Sequence, residues 1–467
     1  MKEAGKKSKK HDHDASEAEE QQRRRSRLIA GVLAAVGVYA AISFAWSLQD
    51  QWLGQMQKDP SLAVLKSDAA GYYKIAREGR PFYAASYREP LFPLMMRLTL
   101  DSRGQMPPRN KAANLANQLL VRRMSSWLGL CLIALIGLLG WRLGGPWCAV
   151  ISSWMYAAGT WANFLGISAL RQTTMGTLLV SLVLLLLSRP RSRAGRWARR
   201  LALCLVCAAL PLVRISSLTV VPLVVIGWAT LKALRGRGIR PTWRPFAEAA
   251  IYIAVAAIAV APYLIACKRE HGQYFSMMNR HARFWRNHEF AGQPGFPTRT
   301  AVIIDSYTGK PITSAQYVFG LHTVPEVIAR YAHGYWLSVT QYVPRIFAWT
   351  DRGPDGAVRV THYHAVWLWL AGLYWACRKW RTHGLVAFAA FASLLPFAFI
   401  VPLNTVLPQG QLGGVEPRFT MAMAPFVAVL AGVGAAELIR LIWRTVTRKS
   451  RAKTQLGGQA SGTRDVA

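Results

Sequence analysis

Acidic residues are scarce in this chain: 22 Asp and Glu stand against 57 Lys and Arg in 467 residues, a formal net charge of +35. Charge of either sign is thin, 17% of residues against 52% hydrophobic. Cysteine is limited to six. Cys131, Cys148, Cys204, Cys207 and Cys377 sit in apolar runs and Cys267 ends one, so they read as small packing residues. Cys204 and Cys207 match a redox motif only by spacing, and no zinc spacing is present. Walker loop and dinucleotide fingerprint are both missing, which leaves nucleotide-driven transport without support.

What the chain does have is uncharged length. Leu28 to Gln49, Met124 to Trp141, Leu143 to Leu170, Gln172 to Ser188, Ile215 to Leu231, Ala249 to Cys267 and Thr382 to Val415 contain no Asp, Glu, Lys or Arg. Runs of that length exceed what a soluble core helix requires and predict an all-α polytopic membrane protein. A strong positive charge would suggest nucleic acid in a soluble protein. Here the basic residues fall in blocks between the runs, at 189–200, 232–244, 378–381 and 440–453, so no nucleic-acid partner is expected. By the positive-inside rule these blocks mark cytoplasmic helix ends.

Reading outward from the blocks gives about ten spans: 28–47, 119–141, 146–165, 168–188, 200–213, 215–231, 247–267, 362–377, 384–402 and 418–439. Both termini then lie in the cytoplasm, and two long loops, 48–118 and 268–361, lie on the extracytoplasmic side. Residues 200–231, split by Arg214, fit either two short crossings or a broken one; Glu326 to Trp349 fits either an interfacial or an inserted segment. Residues 1–27 read as a disordered basic arm attracted to anionic lipid, 28–440 as the membrane body and 441–467 as a basic tail. The first span exceeds a normal signal-peptide core and lacks a convincing cleavage site, so it is expected to be retained. High arginine and alanine point to a bacterial inner membrane.

The few acids are not spread evenly. Six lie in the N-terminal arm, and all but three of the rest map to the outer side. Any carboxylate chemistry is therefore extracytoplasmic. Two short passages in the first outer loop stand out: Ser67-Asp68-Ala69-Ala70-Gly71-Tyr72-Tyr73 and Tyr87-Arg88-Glu89-Pro90-Leu91-Phe92-Pro93. Asp68 fits a helix N-cap as well as a catalytic carboxylate, and the two readings are compatible. Tyr72 and Tyr73 suit either a sugar pocket or an interfacial anchor.

Arginine at the outer end of a span is costly unless it meets a carboxylate, a phosphate or water, which draws attention to Arg88, Arg171, Arg214 and Arg418. Arg171 and Arg214 could equally snorkel to the interface, and Arg418 could pair structurally with Glu416. In the second outer loop His271, Tyr274, His281, Phe284, Trp285 and His288 suggest acceptor recognition or a lid. A third metal ligand at suitable spacing is lacking, so no metal site is assigned.

Taken in order, these elements resemble the GT-C superfamily of integral-membrane glycosyltransferases, which includes protein O-mannosyltransferases and lipid A aminoarabinose transferases. The resemblance rests on Asp68 to Tyr73 after one span, Glu89-Pro90-Leu91-Phe92-Pro93 before the second, Ser168-Ala169-Leu170-Arg171, Pro211-Leu212-Val213-Arg214, Pro262-Tyr263, and Glu416-Pro417-Arg418-Phe419 before the last span. Many relatives carry adjacent acids where Asp68 is followed by Ala69, so a second carboxylate function is either missing or supplied by Glu89.

The resemblance implies transfer of a sugar from a polyprenyl-phosphate-sugar donor to a glycan, lipid or protein acceptor. Asp68 and Glu89 would then be catalytic, and Arg88, Arg418, Arg171 and Arg214 would bind the donor phosphate. Tyr72, Tyr73 and Glu416 would line the sugar or acceptor pocket. No cofactor is assigned, although some relatives use a divalent cation. A lipid-linked glycan polymerase or ligase is the nearest rival; a secondary transporter or flippase would show internal repeats and midplane polar residues, which are not found.

Overall fold

The computed structural model describes residues 2–65, 67–104, 110–234, 243–347, 350–352, 358–360, 364–403, 405–406, 412–413 and 419–461. Glu416 and Arg418 lie outside the described residues. The fold is helical, with two short antiparallel ladders (Thr350–Arg352 with Val358–Val360, Thr405–Val406 with Leu412–Gly413) as its only described strands.

Helices α1 (Lys2–Lys58), α2 (Pro60–Ala63), α3 (Ser67–Glu78), α4 (Leu91–Asp101), α5 (Lys111–Gly144), α6 (Pro146–Ala158), α7 (Thr160–Ile167), α8 (Arg171–Leu187) and α9 (Arg193–Val213) form the N-terminal half. The rest of the chain forms α10 (Ser217–Leu234), α11 (Arg244–His271), α12 (Ser276–Glu289), α13 (Arg299–Ile304), α14 (Val324–Leu337), α15 (Val343–Phe347), α16 (His364–Arg378), α17 (Trp380–Ala398) and α18 (Ala424–Ser461). The N-terminal arm and the first apolar run share α1.

Among the described residues six helical stretches are long and apolar enough to cross a membrane, within α1, α5, α10, α11, α17 and α18, and seven if the bent pair of α7 and α8 counts as one. This is a polytopic membrane protein. The other expected spans are shorter or more charged: α6 has 13 residues, α16 has 15, and α9 opens inside an arginine block. The expectation of ten rests on these helices crossing as well.

One expected span, 146–165, is broken at Gly159, where the backbone is extended between α6 and α7. A side chain there would strike the Ile346 carbonyl, so only glycine allows the approach. The carbonyls freed by the break are met by Asn163 Nδ2, which donates to Ala157 (2.6 Å) and Gly159 (3.0 Å). Gln49 in turn donates to Asn163 (2.8 Å) and accepts from Ser126 (2.5 Å). A buried irregularity in lipid persists only when its backbone groups are satisfied in this way.

The first long loop, 48–118, is mostly helical over its described residues. Helix α3 buries Ala69, Tyr72, Tyr73 and Ala76, the i, i+3, i+4, i+7 stripe, and α4 buries Phe92, Met96 and Leu100 at four-residue spacing. The two stripes meet with Leu65, Val121 and Ala169 in one apolar cluster. Each fully buried large side chain there contributes about 1.5–3 kcal/mol. Buried Arg122 on α5 ties this loop down, donating to the carbonyls of Ala63 (3.2 Å) and Ile167 (3.1 Å).

Candidate functional site

On α3 the residues at i+3 and i+4 from Asp68 are Gly71 and Tyr72, so all three share a face. Asp68 stands in the first turn of the helix, one residue past its start, where the dipole favours a carboxylate. Gly71 leaves room on that face for Arg88: a Cβ there would approach Arg88 Nε to 3.2 Å. Arg88 Nη2 lies across this gap and donates to Asp68 Oδ1 at 2.6 Å, with side chains 19% and 29% exposed. The pair therefore remains open to a ligand.

The backbone carrying Arg88 is held from two directions. Ser86 Oγ donates to the Arg88 carbonyl and accepts from its N–H (3.1 Å), while the Tyr263 hydroxyl on α11 donates to the Ser86 (2.9 Å) and Arg88 (3.2 Å) carbonyls. The neighbouring Glu89 points inward instead. It is 1% exposed, accepts from Arg171 Nη1 at the start of α8 and from the Ile215 N–H (3.0 Å) just before α10. One carboxylate thus joins three segments far apart in sequence.

Arg171 reaches that position because the chain turns sharply at 168–170, where α7 and α8 meet at 109°. Ala169 is the described non-glycine residue with positive φ (+53°), a left-handed conformation that costs an alanine about 1–2 kcal/mol. Strain of this kind survives where surrounding packing over-determines it, and Ala169 is fully buried in the α3/α4 cluster.

Tyr72 lies under both guanidinium groups, with Arg88 5.2 Å and Arg171 5.6 Å from its ring centre. It packs edge-on against Phe92 at 5.3 Å. Its buried hydroxyl has no hydrogen-bond partner among the described residues. Tyr73 turns away and donates to Asn114 on α5 (2.9 Å). Arg214, between α9 and α10, lies 3.9 Å over the Phe397 ring of α17. The hydroxyls of Ser216 and Ser217, just beyond it, and Gln172 Oε1, beside Arg171, are buried and lack partners among the described residues.

Helix α12, in the second long loop, lies beside this group. His281 is pushed down to about pKa 3 by burial and by the nearby Arg171, Arg88 and Arg214, against which Asp68 acts in the opposite sense. A neutral imidazole therefore stands within electrostatic reach of three guanidiniums and a carboxylate. Arg280, its neighbour, stacks between Tyr87 of the first long loop and Tyr307 of the second, 4.3 Å from each ring centre. The sequence singled out Asp68, Arg88, Glu89, Arg171, Arg214 and Tyr72, and the structure brings them together. His281 was seen only as one histidine among several; nothing local could have joined it to Asp68, more than 200 residues away.

A second charged cluster sits at the other end of α12. Glu289 accepts from the Tyr317 hydroxyl (2.6 Å) and from Arg330 Nη2, and its Oε1 lies 3.0 Å from His322 Nε2. Burial opposes its ionisation, but these hydrogen bonds outweigh burial and hold its pKa below the usual value. Among the described residues no three His, Cys, Asp or Glu side chains converge as a metal site would require.

Neither a family model nor a curated protein sequence matches the chain. Its fold is similar to solved membrane-protein structures. These include ArnT from Cupriavidus metallidurans bound to undecaprenyl phosphate, at 13% identity and TM-score 0.46, covering 87% of this chain and 59% of that one. They also include the oligosaccharyltransferase of Archaeoglobus fulgidus in complex with Zn and sulfate, at 13% identity and TM-score 0.48, covering 89% and 51%. The archaeal oligosaccharyltransferase AglB, in complex with an inhibitory peptide and a dolichol-phosphate, matches at 12% identity and TM-score 0.43, covering 82% and 47%. The chain spans about half to three-fifths of the length of these proteins.

Proposed function

We propose that this chain is a GT-C-type glycosyltransferase that moves a sugar from a polyprenyl-phosphate donor to an acceptor at the extracytoplasmic face of a bacterial inner membrane, with both termini in the cytoplasm. The observation that carries this reading is the convergence of one accessible carboxylate, Asp68, with Arg88, Arg171 and Arg214 around Tyr72 and His281. Buried polar atoms without partners among the described residues, Tyr72 Oη, Gln172 Oε1 and the hydroxyls of Ser216 and Ser217, flank those arginines. Buried polar groups are ordinarily satisfied, and leaving one unpaired costs about 1–3 kcal/mol, so such a concentration suits a polar ligand.

In the reaction, the acceptor oxygen or nitrogen forms a bond to the anomeric carbon as Asp68 takes its proton. The bond from that carbon to the lipid phosphate oxygen breaks, and the phosphate leaves with the electron pair. Arg88, Arg171 and Arg214 oppose the charge that develops on it, as preorganised cations do in a site shielded from water. Arg88 serves both partners, since it also fixes the carboxylate. Glu89 acts by holding Arg171 and the start of α10 rather than by exchanging protons. In this proposal Arg418 adds to the phosphate site, Glu416 and Tyr73 border the acceptor, and no step is routed through a metal. The sugar donated is a hexose or pentose.

The test is transfer from radiolabelled polyprenyl-phosphate sugars, in membranes containing the full chain, to glycan, lipid and protein acceptors. Transfer above the level of membranes lacking the protein supports the proposal. No transfer from any donor in the panel favours an envelope-lipid transporter instead, and transfer of a preassembled lipid-linked oligosaccharide favours a polymerase or ligase.

A further inference from the structure

The charged cluster at the end of α12 faces a cleft of about 570 Å³ between α12, α14 and the chain after α17. That volume falls within the roughly 300–1,000 Å³ of small-molecule sites. Its floor is rigid. The His322 Nδ1 atom faces the Tyr317 carbonyl at 2.9 Å, and a carbonyl only accepts, so Nδ1 carries the proton. Its Nε2 atom lies 2.9 Å from Arg330 Nη1 and 3.0 Å from Glu289 Oε1, while Arg330 Nη2 and the Tyr317 hydroxyl donate to Glu289.

One stripe of α14, Glu326, Ala329, Arg330 and His333, lines the opposite wall at i, i+3, i+4 and i+7. Phe290, Pro402 and Leu403 supply apolar surface beside it. This mixture discriminates between occupants. A bare cation would meet Arg330, and a phosphate would meet Glu326 and Glu289. A neutral polyhydroxylated ring finds carboxylates to accept from its hydroxyls, a guanidinium and the His333 imidazole to donate to them, and an aromatic face for its C–H side.

The placement also fits. His281 and Glu289 are eight residues apart on α12, so the cleft lies about 12 Å along the helix from the Asp68 site, the reach of one or two sugar rings. On the far side of α14, Val324 and Ile328 are exposed to 68% and 64%. An apolar face of this kind beside a polar one suits a helix lying in the membrane surface. The cleft would then sit at the outer headgroup level.

We propose that this cleft is a saccharide-binding subsite for the acceptor, filled either by the end of a free glycan or by the head of a glycolipid. It rests on the glycosyl-transfer reading given above. The test measures binding of the full chain in lipid nanodiscs to an array of soluble oligosaccharides. A second arm uses phosphatidylcholine vesicles displaying the same saccharides on alkyl anchors. The variants are Ala329→Trp, which fills the cleft from an exposed helix position, and His333→Ala, which leaves the Glu289 network intact.

The expected result is binding to at least one saccharide class in at least one arm, weakened about tenfold or more by Ala329→Trp and by His333→Ala. Binding in the vesicle arm alone identifies a glycolipid head; binding in both arms identifies a glycan end. No binding in either arm, or equal binding by wild type and both cleft variants, overturns the proposal. Saccharide binding by a protein that transfers no sugar would refute the transfer reading while leaving the cleft a saccharide site.

Discussion

Replacing Glu89 by glutamine tests whether the buried pair holds the site together. The amide keeps an oxygen for the Ile215 N–H but removes the charge that balances Arg171, in a pair whose side chains are 1% and 6% exposed. Removing one partner of a buried ion pair typically costs about 3–5 kcal/mol, because the other charge stays buried alone. Arg171→Met should cost a similar amount for the converse reason. The double variant carries neither charge, and the introduced amide oxygen would still accept from the Ile215 N–H. Its loss should fall at least about 2 kcal/mol short of the sum of the single losses, which is the signature of direct coupling. Reversible unfolding by SDS titration in mixed micelles, followed by tryptophan fluorescence, supplies the four free energies of the cycle. A Glu89→Gln loss below about 0.5 kcal/mol, or singles that simply add, would refute the assignment of this pair as the joint between the first long loop, α8 and α10.

Other outcomes follow from the same geometry. Gly71→Val should push Arg88 off Asp68 and reduce transfer with little effect on unfolding, since Gly71 lies over the Arg88 side chain; undiminished transfer would show the pair is dispensable. Gly372→Ala should destabilise the contact of α16 with α18 by at least about 1–3 kcal/mol, because its Cβ would land on the Leu430 carbonyl, and SDS unfolding at lower denaturant would reveal it. His281 is held near pKa 3 in the folded protein against 6.5 ordinarily, so the unfolded chain binds its proton first as pH falls. Stability should therefore drop by about 1 kcal/mol between pH 7.5 and 5.5 from this residue, continuing toward pH 3, and His281→Gln should flatten that slope. Glu289, held below its usual pKa, adds a further loss only under more acidic conditions, below about pH 4.5.

The uncharged runs made the membrane helices legible, because exclusion of charge over such lengths has few explanations other than lipid. Their interruptions were harder. The Gly159 break depends on Ile346, nearly 190 residues later, and the turn at Ala169 on its packing with α3 and α4, so neither leaves a local pattern. Within the site, Asp68, Arg88, Glu89, Arg171 and Arg214 were readable as charges placed beside apolar segments. Their partners were not: Glu89 finds Arg171 across 82 residues, and Glu289 finds Arg330 across 41. Charge pairing in a helical bundle is fixed by tertiary contact, to which neither periodicity nor spacing in the sequence gives access.

Activation of the acceptor by Asp68, at an arginine-lined donor site, is tested most directly by separating binding from turnover in the purified full chain. Binding of polyprenyl phosphate and transfer from its sugar-bearing form are measured together in wild type and Asp68→Asn. Retained lipid binding with transfer reduced about 10²- to 10⁴-fold, the range for loss of a general base, is the predicted result. Transfer by Asp68→Asn within a factor of about two of wild type would contradict this role and remove Asp68 from the chemistry.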